Sequence, residues 1–148
     1  MSDPKTAELF AFFNEIGIIE QLARALLEAR LPDGLIAPHF TVLNHLTRLG
    51  DGRAPIDMAR AFQVPKTTMT HTLAGLESRG LVEMRPNPDD GRSKRVWLTP
   101  AGRAFRDETI QRLGARFAEF GAAFPSHKIA DLVGRLAEIR KWLDEERD

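Results

Sequence analysis

The sequence predicts a mainly α-helical protein with one small β-hairpin. Apolar residues recur at spacings of three and four along most of the chain, which is typical of amphipathic helices. Between residues 82 and 98, two short runs of alternating apolar residues flank a turn, which indicates a hairpin. The chain has 148 residues, 43% of them apolar, and this is enough for one domain, which we expect to span residues 1–148.

The first helix is expected from Lys5 to Ala29. Its apolar residues are spaced by three or four and comprise Leu9, Phe10, Phe13, Ile16, Ile19, Leu22 and Leu26. Phe12, Ile18 and Leu27 widen this stripe. The helix therefore has more apolar surface than one neighbouring element can cover.

Three shorter helices follow the first. A break at residues 31–34 precedes a second helix, which Pro38 opens and which the glycines of residues 50–52 end. A short third helix is expected at about residues 55–62. It leads directly into a fourth helix, so this stretch is predicted to form a helix-turn-helix.

The fourth helix is bounded by Pro65, which suits a first helical turn, and by Gly80, which supplies a left-handed terminating residue. Met69, Leu73 and Leu76 recur at i, i+4 and i+7 and therefore form the face that docks on the core. The N-terminal and outward surface carries the polar residues Lys66, Thr67, Thr68, Thr70 and His71.

The hairpin carries a high density of positive charge. Its apolar residues alternate as Val82 and Met84 in one strand and Val96 and Leu98 in the other. We expect Gly91 to take a positive φ in the turn. The cations of the hairpin are Arg85, Arg92, Lys94 and Arg95. A cationic two-stranded ribbon can lie along a phosphate backbone or enter a minor groove.

Strand alternation places Trp97 on the outer face of the hairpin with Arg95, opposite to Val96 and Leu98. This large aromatic side chain either packs under a neighbouring helix or contacts DNA or a partner.

Two further helices are expected after the hairpin. One extends from Gly102 to about Phe120, and the other follows the break at Pro125. The apolar residues of the last helix are Ile129, Leu132, Val133, Leu136, Ile139, Trp142 and Leu143. Apolar stripes on long helices at both chain ends suggest that two subunits interleave into a two-fold dimer, the alternative being a monomer in which these residues close one core.

The helix of residues 66–80 and the hairpin after it resemble the MarR family of bacterial winged helix-turn-helix regulators. The matching positions are Lys66, Leu76, Gly80, Asp90, Arg92 and the run Leu98-Thr99-Pro100-Ala101-Gly102. The resemblance extends over nearly the whole chain. It implies a winged helix-turn-helix DNA-binding lobe at residues 38–102, with dimerisation helices at residues 1–31 and 103–148.

The distribution of charge is consistent with DNA binding although the formal net charge is zero. Residues 65–106 contain 8 Lys and Arg against 4 Asp and Glu, whereas each flanking segment has two more acidic than basic residues. Charges farther apart than about 8–10 Å are largely screened at physiological salt, so this local excess decides phosphate attraction. In the alternative interpretation, Arg103 and Arg106 only lie on a solvent-exposed helix face and do not contribute to phosphate attraction.

The residues of the predicted DNA contact differ in role. Thr67, Thr68, Thr70 and His71 are placed to meet base edges or phosphates, and Lys66 suits a phosphate or a guanine. The fourth helix has no Arg, Asn or Gln, so bidentate base contacts are scarce and DNA shape is expected to contribute to specificity. On a homodimer, two such helices predict an operator with inverted half-sites about 10 to 10.5 base pairs apart or a multiple of this.

In the wing, the match of Arg92 to the family's tip arginine implies insertion into the minor groove. Asp90 is expected to orient the Arg92 guanidinium by a charge-assisted bond. The alternative is a turn with a surface ion pair worth less than about 1 kcal/mol. Gly91 stands where the family often has a second arginine, and Lys94 or Arg95 is available to compensate.

The resemblance also implies a crevice for a small aromatic or phenolic effector between the dimerisation helices and the DNA-binding lobe. His39, Phe40 and Phe13 are the candidate lining residues, together with Phe10 and Phe12, although core packing explains the phenylalanines equally well. A histidine titrates near neutrality and suits an anionic ligand.

Other functions have weaker support. Without cysteine there is no thiol redox sensing or Cys-based zinc site, and the four histidines show no metal-binding spacing, so we expect no metal and no cofactor. Neither a membrane helix nor a signal peptide is evident, so a cytoplasmic location is expected. No catalytic motif is present, so we expect that the protein is not an enzyme. The main alternatives are a winged-helix protein-interaction module and a DNA architectural protein with little sequence preference.

Overall fold

The computed structural model describes residues 3–147, and this part of the chain is mainly α-helical with one antiparallel hairpin. The helices are α1 (Pro4–Glu28), α2 (Ala37–Leu49), α3 (Pro55–Ala61), α4 (Lys66–Ser78), α5 (Pro100–Arg112), α6 (Gly114–Ala123) and α7 (Ser126–Glu146), and the strands are β1 (Val82–Asn87) and β2 (Asp90–Leu98). The predicted fold class is confirmed. Within residues 3–147, no helix combines the length and apolarity needed to cross a bilayer.

The chain forms two compact units, Met1–Arg112 and Leu113–Asp148, which are described separately. The first unit contains α1 to α5 and the hairpin, and the second contains α6 and α7. The single domain expected over residues 1–148 stays a prediction.

The core of the first unit lies between α2, α3, α4 and the hairpin. Its fully buried apolar side chains are Val42, Leu43, Leu46, Met58, Leu76 and Val96. Met69 and Leu73 are also buried, so the docking face predicted for the fourth helix is confirmed. This packing fixes the back of α4 and leaves its opposite face exposed to solvent.

A tight turn joins α3 to α4. Gln63 adopts a left-handed φ of 53°, and the Val64 N–H donates to the Ala59 carbonyl over 3.0 Å. The Gln63 side chain donates to the Arg60 carbonyl over 2.7 Å. These bonds end α3 and direct the chain into α4, which completes the predicted helix-turn-helix.

The loop before α3 holds the base of the hairpin. The Val96 N–H donates to the Arg53 carbonyl over 2.8 Å, and the Gly52 N–H donates to the Val96 carbonyl over 2.9 Å. The Asp51 carboxylate accepts a bond from the Leu98 N–H over 2.7 Å. Short strand-like pairing with this loop therefore anchors β2 to the helical core.

The Leu-Thr-x-x-Gly run is a structural junction between the hairpin and α5. The Thr99 hydroxyl donates to the Gly80 carbonyl over 2.7 Å and accepts a bond from the Gly102 N–H over 2.9 Å. A Cβ atom at Gly102 would collide with the Leu81 carbonyl oxygen. Only glycine lets α5 approach the backbone after α4 this closely.

The prediction of one continuous helix from Gly102 to about Phe120 is wrong, because the structure contains two helices there. The first ends at Arg112 and the second begins at Gly114. The apolar pattern continues through this point, with Leu113 and Phe117 in register, so periodicity alone cannot show the break. Gly114 has low helix propensity, and this local cost favours an interruption.

Polar contacts fasten α1 and α5 to the rest of the first unit. Glu28 in α1 accepts a bond from the Ala37 N–H at the start of α2, over 2.9 Å. In α5, the Arg106 guanidinium donates twice to the Asn44 side-chain oxygen of α2, over 3.0 and 3.2 Å. The positions of α1 and α5 are thus tied to the helix on which α4 packs.

Candidate nucleic-acid interface

The outward face of α4 forms a shallow depression on the protein surface. Its lining residues are Lys66, Thr67, Thr70, His71 and Ala74. All five are exposed, and they recur at spacings of three and four, opposite to the buried face. Four of these residues were predicted to contact DNA, and Ala74 is an addition.

Thr68 has a different position from the other predicted residues of α4. It faces a crevice bounded by α1 and α2 rather than the outward depression. The helical turn explains this, because residue 68 is rotated by about 100° from residue 67. The structure therefore does not bring Thr68 together with Thr67 and Thr70.

The hairpin turn lies earlier than the sequence indicated. Pro88 and Asp89 connect the strands, and Gly91 already belongs to β2 and has no positive φ. Proline fixes the φ that the first central position of a turn requires, so the turn forms at residue 88 without a glycine. The expected role of Gly91 is thus wrong.

The register of the hairpin creates a bulge at its tip. Asn87 pairs with Asp90 whereas Pro86 pairs with Lys94, so residues 91–93 have no partners on β1. Such a bulge bends the strand and redirects its side chains. It places Arg92 in a segment outside the regular pairing.

Asp90 orients Arg92 through the backbone rather than through the guanidinium. The Asp90 carboxylate accepts the Arg92 backbone N–H over 3.0 Å. Among residues 3–147, no ion pair joins the two side chains, so the expected charge-assisted bond is absent. The carboxylate is occupied by the bulge itself, and the Arg92 side chain is exposed.

Two residues that the sequence reasoning missed complete the tip. The Asn87 side-chain oxygen, Oδ1, accepts the Asp89 N–H over 3.0 Å, and the side-chain nitrogen, Nδ2, donates to the Ser93 hydroxyl over 3.1 Å. Ser93 in turn donates to the Asp90 carbonyl over 3.3 Å. The asparagine before Pro88 was a usable signal, because asparagine side chains commonly close such turns.

Arg85 lies over the indole of Trp97 on the outer face of the hairpin. The guanidinium carbon is 4.2 Å from the ring centroid, and Glu83 forms an ion pair with Arg85 at 3.2 Å. Trp97 is half-buried, and its other neighbour is Gly52 in the loop before α3. These neighbours of Trp97 belong to the hairpin and to a loop, and its packing under a neighbouring helix stays a prediction.

Arg95 turns toward the loop before α3. Its guanidinium donates to the Gly52 carbonyl over 3.1 Å, and its Nε atom is buried without a partner among the described residues. Arg95 pairs directly with Arg85 across the hairpin, and like charges there repel. The two guanidinium groups turn to different partners, which leaves Arg95 poorly placed for DNA.

Lys94 lies beside the recognition surface. It shares a second depression with Thr70, Ala74, Glu77 and Met84. The Glu77 carboxylate accepts the Met84 N–H over 3.3 Å, which turns this acidic group toward the hairpin. Of the residues predicted to contact DNA, the structure therefore brings together Lys94 and those on the outward face of α4.

A crevice of about 220 Å³ lies on the other side of α4. It is lined from α1 by Glu20 and Arg24, from α2 by Ala37, Pro38, Thr41 and Val42, from the turn by Phe62 and Val64, and from α4 by Thr68, Met69 and Thr72. Its wall is mostly apolar, and Glu20 and Arg24, with charged atoms 3.6 Å apart, provide the charged groups of its rim.

The three residues expected to bind an effector do not line this crevice. His39 is buried, and its Nδ1 accepts the Ile36 N–H over 3.0 Å. Phe40 is half-buried, and Phe13 is exposed with its ring against Phe12. The helices α1 and α2, which carry these three residues, both line the crevice, but the helical phase of α2 directs Pro38 and Thr41 into it instead.

Burial lowers the pKa of His39, and the nearby positive charge of Arg79 adds to this effect. Because Nδ1 accepts a backbone hydrogen bond, this nitrogen carries no proton, and the ring is neutral. His39 is therefore a structural residue at the start of α2. No cluster of three or more potential metal ligands occurs within residues 3–147.

Comparisons with known proteins agree on one group. The sequence model of the MarR family matches residues 33–93. A cysteine-to-serine mutant of MarR from E. coli, solved in complex with operator DNA, is 27% identical, with a TM-score of 0.70 over 93% of this chain and 99% of that one.

Two further structures extend this similarity to almost the full length. A MarR family transcription regulator is 26% identical, with a TM-score of 0.72 over 97% of each chain. The transcriptional regulator BldR from Sulfolobus solfataricus has a TM-score of 0.78 at 23% identity, over 94% of this chain and 99% of that one, and supports the fold.

Proposed function

Because the chain belongs to the MarR family of winged helix-turn-helix, DNA-binding transcriptional regulators, we propose that it is a repressor that binds an inverted-repeat operator as a homodimer. The observation that carries this proposal is the outward face of α4, which is exposed, contains Lys66 and His71, and has no carboxylate. Repression is the default that the family resemblance implies. A cytoplasmic location belongs to the same proposal, because a regulator acts where the chromosome is.

The wing adds a second contact to each half-site. The bulge presents Arg92 beyond the paired part of the hairpin, and its side chain has no ion-pair partner among residues 3–147. A free guanidinium suits a narrow minor groove, where the negative potential is enhanced. Lys94, beside α4, is suited to a phosphate between the two grooves.

Exposed apolar surface supports the homodimer. In α1, Phe10, Ile19 and Leu22 are each more than 60% exposed, and in α7 the same holds for Trp142. Large apolar patches that a single chain leaves in water commonly mark association surfaces. Pairing of such helices by a two-fold axis presents two recognition helices to one face of the duplex.

A small effector that enters the crevice behind α4 supplies the release step of this proposal. Thr68, Met69 and Thr72 of α4 line the crevice, so a ligand there touches the back of the recognition helix. The volume of about 220 Å³ suits a single-ring molecule, and a carboxylate on it can pair with Arg24 on the rim by displacing the exposed Glu20 carboxylate, 3.6 Å from Arg24 in this structure. Release requires that the ligand bind the DNA-free arrangement more tightly than the DNA-bound one.

The proposal is tested by measuring binding of the purified protein to the DNA upstream of its own gene and to a scrambled duplex, at two salt concentrations. We expect preference for the upstream fragment by at least about tenfold, and a loss of this preference with Arg92→Ala. Equal, weak binding to both duplexes that is indifferent to Arg92 would instead indicate an interaction module.

The release step has its own test, with benzoate as the probe. Benzoate is expected to weaken operator binding by the wild type and to do so less with Arg24→Gln, which removes the cation at the rim. Arg24 is half-exposed, so the variant should fold normally. Identical responses of the two proteins would remove the crevice from the proposal.

A further inference from the structure

Thr67, Thr70 and Ala74 place three methyl groups on the outward face of α4. The three residues are exposed and lie in one shallow depression, which Lys66 and His71 flank. Thr70 and Ala74 are one helical turn apart, so their side chains are neighbours. We call Thr70 and Ala74 together the methyl patch.

In the described part of the chain, Thr70 lacks a side-chain hydrogen bond that four other helical threonines make. Thr41, Thr47, Thr72 and Thr109 each donate their hydroxyl to the carbonyl four residues earlier, over 2.8 to 3.0 Å. Thr70 makes no such bond within residues 3–147. Its hydroxyl and its methyl group are therefore both presented at the surface rather than to the helix.

The chemistry of the methyl patch limits which base it can recognise. A hydroxyl donates and accepts, so it distinguishes bases poorly, and α4 has no Arg, Asn or Gln for a bidentate contact. In the major groove, the 5-methyl group of thymine is the apolar feature that alanine and threonine methyl groups contact. Two adjacent methyl groups thus fit thymine better than any other base.

The charges around the methyl patch fit a DNA occupant. Lys66 and Lys94 lie on either side of it. The nearest acidic side chain of α4, Glu77, is bonded to the Met84 N–H of the hairpin. The patch is therefore apolar at its centre and has a lysine on each side, suited to the two phosphate backbones, while the Glu77 carboxylate at one edge is held by the hairpin.

We propose that Thr70 and Ala74 read the 5-methyl group of a thymine in each operator half-site. This inference rests on the proposed function, because it assumes that α4 enters the major groove. It makes the specificity of the protein depend on an apolar contact, with Lys66 and Lys94 supplying affinity for phosphates.

Replacement of thymine by deoxyuridine tests the inference, because it removes only the methyl group and keeps base pairing. The probe is a duplex enriched from a randomised library by the full-length protein, with each half-site thymine replaced in turn. One position should lose about fourfold in affinity, the value expected for one buried methyl group. Replacements outside the half-sites are the control and should have no effect.

Two variants of Thr70 separate the methyl group from the hydroxyl. Thr70→Ser keeps the hydroxyl and should show a smaller preference for thymine over deoxyuridine, because only the Ala74 methyl group remains, whereas Thr70→Val keeps a methyl group and should retain the full preference. Thr70 is exposed, so both variants should unfold at the same temperature as the wild type.

The possible results are distinct. If the protein enriches one duplex but binds it equally well after every deoxyuridine replacement, the methyl contact is overturned, while the proposed regulatory function still stands. Loss of discrimination in Thr70→Val with retention in Thr70→Ser would assign the contact to the hydroxyl and overturn the inference. A library that yields no enriched sequence would contradict the proposed function itself.

Discussion

The imidazole of His39 lies against Gly75, and a Cβ atom at that position of α4 would approach the His39 Nε2 to 3.0 Å. The other nitrogen of the ring, Nδ1, accepts the Ile36 N–H, so the ring cannot turn away without breaking a bond. This contact fixes the spacing between the start of α2 and the middle of the recognition helix. Alanine is the better helix former at residue 75, but its Cβ atom would crowd the His39 ring, which must shift by a few tenths of an ångström to admit it.

The contact predicts how Gly75→Ala will behave. In the wild type, the gain of up to about 1 kcal/mol in helix propensity should be cancelled or exceeded by crowding of His39. In a His39→Asn background, the smaller side chain keeps an acceptor for Ile36 and the same change should become stabilising. Urea unfolding of the four proteins gives the coupling free energy, and simple additivity would contradict the contact.

Stability should fall as the pH is lowered below about 6.5, the ordinary pKa of histidine. Burial lowers the pKa of His39 and also that of His45, whose pKa the charges of Arg48 and Arg53 lower further. Because the unfolded chain then binds more protons, the stability that both neutral rings contribute is complete above this pH and is lost below it.

The urea midpoint at about pH 8 and about pH 5.5 measures this effect. The His39→Asn variant has no titrating group at residue 39, so its urea midpoint should depend less on pH than that of the wild type. The pH dependence that remains is due to His45. An equal slope in wild type and variant would show that His39 does not stay neutral in the folded protein.

Gly102→Ala should destabilise the first unit by more than about 2 kcal/mol, because the added Cβ meets the backbone of Leu81 rather than a movable side chain. Ala101→Ser, at the exposed neighbouring position, should change stability by less than about 0.5 kcal/mol. The melting temperatures of the two variants test this prediction. Normal melting of Gly102→Ala would mean that α5 can move away from the end of α4.

Arg92 and Arg95 should separate DNA binding from stability. Arg92→Ala should weaken operator binding and reduce the salt slope by about one per subunit, with little change in melting temperature, because its side chain is exposed and has no ion-pair partner among residues 3–147. Arg95→Ala should lower stability by about 1 kcal/mol, because it loses the bond to Gly52. Equal losses of binding in the two variants, without destabilisation, would place Arg95 on the DNA.

Leu22→Glu in α1 should shift the protein from dimer to monomer in sedimentation velocity, because it puts a charge on an apolar side chain that is 64% exposed in the single chain. Gln21→Glu adds the same charge one residue away and is the control. A monomeric wild type, or a dimer unaffected by Leu22→Glu, would remove this surface of α1 from the interface.

Local patterns predicted most of the elements. The spacing of Met69, Leu73 and Leu76 gave the buried face of α4, and alternation in residues 82–98 gave the hairpin. Such patterns are reliable because one face of each element must leave water. They could not reveal the break after Arg112, where the apolar period continues across Leu113.

The site was only partly predictable from the residues. Helical phase separates Thr68 from Thr67 and Thr70, and this could have been computed from the sequence. The partners of Arg85 and Arg95 could not, because Trp97 and Gly52 are brought to them by the hairpin register and by a loop more than 30 residues away.

The sequence by itself thus determined the order of helices and hairpin, the buried face of α4 and the local excess of positive charge. Only the tertiary structure decided which cations are free, because Arg92 and Arg95 have the same chemistry and stand three residues apart on one strand. The physical reason is that hydrogen bonds and burial depend on which groups the folded chain brings within a few ångströms. Local sequence carries no record of the Gly52 carbonyl that Arg95 meets.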